Sequence, residues 1–376
     1  MRVAFYAPLK PPGYPIPSGD RRVAQLLIQA LKHVGHNVTV ASQYRSYCQT
    51  PSDQETMRVL AVDEVKSVIT NLKASPPDLW FTYHLYYKAP DFIGPKIARK
   101  LNIPYVICEA SYAPKQSGGP WKTGHDATAE AIATADRVIS LTQLDSHCVL
   151  SLLQDHAKHA FLSPFVDSKP FTTAAEKRKQ HRTILAQTHG LDPKVPWLVT
   201  VAMMRKDQAK LLSFEQLAMA LRKVKNNFQL VVAGAGAAQT EVRHLLTSAI
   251  GKRFKHLGQL DQNCLANLYS AGDLYVWPAV NEAFGMAFLE AQAAGLPVVA
   301  AKHGGVTDVV LDGVTGRLVE PNDVDAFVTA IDRLLSDRDE LRAMSSNARD
   351  FISKERTLDV AAEKLDKIIA SLAQGS

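Results

Sequence analysis

Two carboxylates eight residues apart, Glu282 and Glu290, bound the segment Asn281-Glu282-Ala283-Phe284-Gly285-Met286-Ala287-Phe288-Leu289-Glu290. Glu282 is expected in a loop after the apolar run 274–278, and Glu290 about two turns into the helix that follows. At ~3.6 residues per turn an eight-residue step returns to nearly the same helix face, which directs Glu290 toward the pocket at whose mouth Glu282 sits. Two acids on one side of a pocket suit the hydroxyls of a sugar and of a ribose. Gly285 lets the backbone come close to a ligand where a Cβ would obstruct it, and Gly295 allows a helix C-terminus before the strand at Val298-Val299.

The segment from Glu282 to Glu290, with its continuation to Val299, resembles the E-x7-E motif of the family-four retaining glycosyltransferases. Further likenesses run through most of the chain. Pro17-Ser18-Gly19-Asp20 leading to Val34-Gly35-His36-Asn37-Val38 is similar to the family's glycine loop and its return, with Ser18 where a second glycine is usual. A helix starting after Gly19 offers free backbone N–H groups to a phosphate or an acceptor group, and Asp20 is the expected cap. Thr200 to Arg205, followed by Lys210, resembles the element whose Arg and Lys neutralise the nucleotide diphosphate, although Met204 and Leu211 replace its glycines. Leu230 to Gly236 is similar to the strand and glycine turn beside the base, and Gly304-Gly305 with Asp308, Gly313 and Gly316 matches the family's pattern downstream of the carboxylates.

The resemblance implies an α/β fold of GT-B type, two Rossmann-like domains whose parallel sheets face each other across a cleft. It implies catalytic roles for Glu282, Arg205, Lys210 and Glu109, and donor contacts at Gly19, Gly234, Phe284, Gly285, Met286 and Glu290. Glu282 would orient the sugar hydroxyls and Glu290 the ribose hydroxyls. Many relatives carry a His after the fourth strand where this chain has Glu109. Glu109 therefore either takes over that place, bonding a hydroxyl or assisting acceptor deprotonation, or serves as a structural acid.

The implied reaction moves a hexose from a nucleotide-diphosphate sugar to a hydroxyl of a glycan or lipid-linked acceptor, with retention of configuration. Bacterial envelope polysaccharide or lipopolysaccharide synthesis is the context that the opening residues resemble. No metal or other cofactor is expected. The D-x-D pattern occurs only at Asp323-Val324-Asp325, which reads as a helix start, and Asp337-Arg338-Asp339, which reads as a helix end. Leaving-group charge then falls to Arg205, Lys210 and backbone N–H groups.

The elements that must position these residues are short apolar strands alternating with longer helical patterns, the signature of parallel α/β sheets. Strands are expected at 3–7, 38–42, 79–83, 105–108 and 137–141, then at 197–202, 228–233, 255–257, 274–277, 298–301 and 316–318. Helices are expected near 21–33, 63–73, 93–101, 128–134 and 142–153 in the first half, with a last helix near 358–373. The polar stretch 167–196, including Lys177-Arg178-Lys179-Gln180-His181-Arg182, reads as a connection with one helix. Domains are placed at 1–168, completed by 355–376, and at 169–354.

Length and composition agree with two soluble domains: 376 residues, 46% hydrophobic and 21% charged. The net charge of +6 is spread evenly, with 17 basic against 14 acidic residues in 1–168 and 26 against 23 beyond, so nothing argues for nucleic acid. Cys48, Cys108, Cys148 and Cys264 form no C-x-x-C, which fits a reducing cytoplasm. With no long apolar segment, any membrane contact would be peripheral, at the inner face of the cytoplasmic membrane. His125-Asp126 reads as a helix cap, and His147, His156 and His159 as exposed helix residues. Two other classes compete: a sugar-nucleotide epimerase of the same architecture, disfavoured by E-x7-E, and a dinucleotide oxidoreductase, disfavoured because no G-x-G-x-x-G follows either first strand. A non-catalytic sugar-nucleotide binder stays open. Neither base nor hexose is readable from residues.

Overall fold

The computed structural model describes residues 1–373. The described chain forms two compact units: Met1–Ser163 together with residues 358–373, and Pro164–Thr357.

The first unit alternates β1 (Arg2–Tyr6), α1 (Gly19–His33), β2 (Asn37–Val40), α2 (Asp53–Leu72), β3 (Leu79–Leu85), α3 (Gly94–Leu101), β4 (Tyr105–Ala110), α4 (Lys122–Thr134), β5 (Arg137–Ser140), α5 (Gln143–Leu150) and β6 (His159–Phe161). All its ladders are parallel and the strand order is β2-β1-β3-β4-β5-β6. β1, β3 and β4 are covered on both faces, which is why they read as nearly unbroken apolar runs. β6 was absent from the sequence reading; its three residues, His-Ala-Phe, are only half-buried on the sheet edge.

The second unit opens with α6 (Lys169–Glu176) and α7 (Arg178–His189), so the stretch read as a connection with one helix holds two. Its basic run turns inward: Arg178 and Arg182 grip the two Asp273 oxygens at 2.6 and 2.9 Å, and Arg182 lies 4.3 Å from the Trp197 ring centre. Then follow β7 (Trp197–Val201), α8 (Gln208–Lys223), β8 (Gln229–Ala233), α9 (Gln239–Ile250), β9 (Phe254–His256), α10 (Gln262–Ala271), β10 (Leu274–Trp277), α11 (Met286–Ala293), β11 (Val298–Ala301), β12 (Gly316–Val319), α12 (Val324–Ser336) and α13 (Arg338–Glu355). The order is β12-β11-β10-β7-β8-β9, again all parallel. α14 (Leu358–Ala373) belongs to the first unit and packs on α1, and its Asp366 meets His36, in the turn after α1, at 2.9 Å.

Several local expectations change. Ser18, not Asp20, caps α1, its hydroxyl accepting from the Arg21 N–H. Asp337 ends α12, its N–H bonding the Arg333 carbonyl, and also starts α13 by accepting from the Asp339 and Glu340 N–H groups, so the second D-x-D marks the expected helix end and a helix start as well. α4 begins three residues before His125, which is buried beside Tyr112 and caps nothing. Of His147, His156 and His159, only His147 lies on an α-helix; His159 is in β6. Among the described residues no group of three or more His, Cys, Asp or Glu side chains is arranged to hold a metal, and no helix is long and apolar enough to cross a membrane.

Candidate functional site

In an open parallel sheet, loops leave opposite faces where the strand order reverses, and that crevice at the carboxyl ends is where ligands bind. The reversals here lie between β1 and β3, and between β7 and β10. Both candidate centres sit at these points.

In the second unit, Arg205 follows β7, Lys210 lies in the first turn of α8, and Glu282 lies in the loop after β10. Lys210 Nζ meets Glu282 Oε2 at 2.6 Å and stands 5.4 Å from the Trp277 ring centre, while Trp277 Nε1 is 3.4 Å from the same carboxylate oxygen. Both charges are largely buried. Such a pair is stronger than one in water and costly to break from one side. Arg205 is half-exposed and pairs with Asp207 at 3.0 Å; Asp207 also caps α8 by accepting from the Lys210 N–H. One carboxylate thus positions both cations.

The Glu282 loop is held in an unusual shape. Ala279 and Asn281 have φ of 60° and 52°, a region that non-glycine residues reach only when surroundings enforce it. Gly285 has φ 78°, and a Cβ there would stand 2.6 Å from the Phe288 ring. Gly285 therefore serves the turn and the packing of Phe288, rather than only the close approach of a ligand. Gly304 presses on the loop from below: a Cβ on it would come within 2.4 Å of the Glu282 carbonyl.

α11 begins at Met286, so Glu290 lies about one turn into the helix, not two, and Glu282 lies outside it. The same-face argument from helical periodicity does not apply. What fixes Glu290 instead is α10, whose Tyr269 hydroxyl donates to its Oε2 at 3.1 Å. Phe284 is buried. Gly234 ends β8 with its Hα side against the Ala202 carbonyl, where a Cβ would meet the oxygen at 1.9 Å. Its place is next to the β7 end from which Arg205 departs.

In the first unit, Gly19 opens α1 with nothing within 4 Å of where a Cβ would be, leaving the helix N-terminus accessible. Asp20 accepts from Lys10 Nζ at 3.1 Å. Its other oxygen lies 3.5 Å from His84 Nδ1, which in turn is 3.7 Å from Glu109 Oε1. His84 and Glu109 stand at the carboxyl ends of the adjacent strands β3 and β4, and both have positive φ, 57° and 63°. Two bulky residues in a strained conformation at neighbouring strand ends are a mark of function.

The contrast with Asp91 sharpens the point. That buried carboxylate accepts from Thr82, Tyr105 and the Ile93 and Gly94 N–H groups. Glu109 is as deeply buried, yet its Oε2 has no hydrogen-bond partner, and neither has His84 Nδ1. Burial pushes the Glu109 carboxyl up to about 7, with Asp145 and Asp20 adding and His84 opposing. Burial alone would lower His84; the charges of Glu109, Asp20 and Asp145 outweigh it and carry the imidazole up to about 9. Burial would raise Asp20, but His84 and Lys10 hold it well below the ordinary carboxylate range. The result is an imidazolium among acids, one of which burial holds well above the ordinary carboxylate range.

Sequence reasoning found Glu109 and missed His84. The signal was a polar residue ending the apolar run Leu79 to Tyr83, at a strand end where α/β sheets place their ligands.

Residues 182–351 match the model of the family described as glycosyl transferases group 1. The D-inositol 3-phosphate glycosyltransferase of Xylanimonas cellulosilytica is 30% identical over 243 residues, 63% of this chain and 57% of that protein. The chain thus spans little more than half the length of that curated relative. Among solved structures, sucrose-phosphate synthase from Thermosynechococcus elongatus superposes with a TM-score of 0.78 at 21% identity, covering 100% of both chains. Anabaena HepE in complex with UDP-glucose does so at 0.74 and 18% identity, covering 99% of this chain and 100% of its own. The fold is of the GT-B glycosyltransferase type.

Proposed function

We propose that this chain, which belongs through residues 182–351 to the glycosyl transferases group 1, moves a hexose from a nucleotide-diphosphate sugar to a hydroxyl of a glycan or lipid-linked acceptor. The observation that carries the reading is the convergence of Arg205, Lys210 and Glu282 at the point where the second sheet reverses its strand order. Lys210 and Arg205 meet the charge that develops on the diphosphate as its bond to the anomeric carbon breaks. Glu282, already bonded to Lys210, orients the sugar hydroxyls and keeps the ammonium in place. Glu290, braced by Tyr269, holds the ribose hydroxyls.

Transfer is retaining and independent of metal. Two protein cations occupy the role that a divalent ion fills elsewhere. The acceptor oxygen bonds to the anomeric carbon on the face from which the phosphate departs. Its proton passes to the departing phosphate, and the Glu109 carboxylate assists by accepting a hydrogen bond from the acceptor hydroxyl. The setting is envelope polysaccharide or lipopolysaccharide synthesis, in the cytoplasm or at the inner face of its membrane.

A thermal-shift screen of UDP-, GDP- and ADP-sugars tests donor binding. A ligand at ~100 times its dissociation constant adds ~2.7 kcal/mol to stability. One nucleotide series should raise the midpoint, and no shift with any of them rejects the assignment.

A further inference from the structure

Beside the His84–Glu109 pair, the first unit carries a run of aromatic rings that the donor chemistry leaves unused. His84 touches Tyr86 with ring centres 5.8 Å apart, Tyr86 touches Tyr87 at 5.5 Å, and Tyr87 touches Trp121 at 5.5 Å. All are half-buried, presenting part of each ring to solvent. Trp121 is set apart from the other tryptophans, Trp80, Trp197 and Trp277, which are buried.

Lys88 borders these rings and Arg45 lies against two further tyrosines, Tyr14 and Tyr47; neither cation meets a carboxylate among the described residues. Lys88 Nζ lies 5.0 Å from the Trp121 centre and 5.9 Å from that of Tyr87, with no hydrogen bond of its own. Arg45 stacks on Tyr14 at 4.6 Å and on Tyr47 at 5.4 Å, bonding only the Leu9 carbonyl and the Tyr14 hydroxyl. Burial, and then the neighbouring Tyr47 and Tyr87, push the Tyr86 phenol well up, so it stays a neutral donor.

Aromatic faces stack on the C–H faces of sugar rings, and phenol hydroxyls bond sugar oxygens. Cations with no acid to pair with favour an anion. We propose that Tyr86, Tyr87 and Trp121, bordered by Lys88 and Arg45, form the acceptor platform, and that the acceptor glycan bears an anionic group, a phosphate or a carboxylate. The assignment as acceptor site rests on the glycosyltransferase reading above; the ligand chemistry rests on the rings and cations themselves. The chain of ring contacts leads from Trp121 to His84, and so to Glu109.

Saturation-transfer NMR on the full chain with glucose, glucose 6-phosphate, glucuronate and inorganic phosphate tests this. Ring protons of one or both anionic sugars should receive saturation at least roughly threefold above glucose, and which of the two does so tells phosphate from carboxylate. Lys88→Ala should abolish the preference for the anionic sugar, and Trp121→Ala should remove transfer altogether. Trp121→Phe keeps a ring in place and should restore it, which separates loss of the platform from loss of folding. Equal transfer to glucose overturns the anionic class, as does an anionic-sugar signal that excess inorganic phosphate leaves unchanged. Transfer unchanged in Lys88→Ala and Trp121→Ala overturns the platform. If anionic sugars bind while no nucleotide sugar shifts the melting midpoint, the donor reading fails and the platform stands.

Discussion

Replacing His84 with glutamine keeps the size of the side chain and removes its charge from between Asp20 and Glu109. The folded imidazole titrates at about 9 against an ordinary 6.5, so the native state holds its proton more tightly than the unfolded chain does. Its contribution is complete below pH ~6.5 and disappears as pH rises through ~9. Glu109 runs the other way: its carboxyl is raised to about 7, so its ionisation costs stability as pH rises from its ordinary value through 7. Without His84 that carboxyl should stay protonated at neutral pH. Glu109→Gln should therefore recover part of what His84→Gln loses, with a coupling of about 0.5–3 kcal/mol in a double-mutant cycle at pH 8. Urea unfolding of the four proteins between pH 6 and 10 measures both quantities. The gap between wild type and His84→Gln should close as pH rises. A gap that is flat or widens, or strict additivity of the two substitutions, refutes the charge-pair account.

Three further outcomes follow from the second unit. Lys210→Ala and Arg205→Ala should each lower turnover about tenfold or more, which is ~1.4 kcal/mol or greater on the barrier. The loss should be larger for Lys210, whose removal leaves Glu282 without its 2.6 Å partner; steady-state kinetics with saturating donor reads both. Glu290→Ala should weaken nucleoside diphosphate binding by ~1–3 kcal/mol in calorimetry, and unchanged affinity contradicts the ribose role. Gly304→Ala, at φ 48° with its Cβ against the Glu282 carbonyl, should cost ~1–3 kcal/mol in unfolding experiments and impair transfer, because the strained loop has nowhere to move.

Most of the fold was legible because parallel strands buried on both faces are short apolar runs bounded by polar turns, as in Leu274–Trp277 and Val298–Ala301. The exceptions have physical reasons. β6 is a half-buried edge strand with no such run. The first ten residues of α2 were unread because Val59 and Leu60 are exposed, and blur the apolar stripe that marks a helix face. Arg178 and Arg182 looked like solvated linker residues until Asp273, some ninety positions away, supplied their partner. The same limit applies to the site. Glu282, Lys210 and Arg205 were visible as residue types at strand ends, but the bond between Lys210 and Glu282 joins positions 72 apart. His84 gains its meaning only from Asp20 and Glu109, which reach it from two other strands' loops and ends.

The central claim is transfer of a hexose with retention, carried by protein cations rather than by a metal. Product made from the donor selected by thermal shift, with a glycan acceptor and excess EDTA present, can be assigned by its anomeric coupling constant in NMR. In metal-dependent transferases the ion supplies several kcal/mol of charge stabilisation, so its removal there is unmistakable. The account predicts full transfer in EDTA and a product with the donor's own anomeric configuration. An inverted product, or activity that returns only with Mn²⁺ or Mg²⁺, contradicts it.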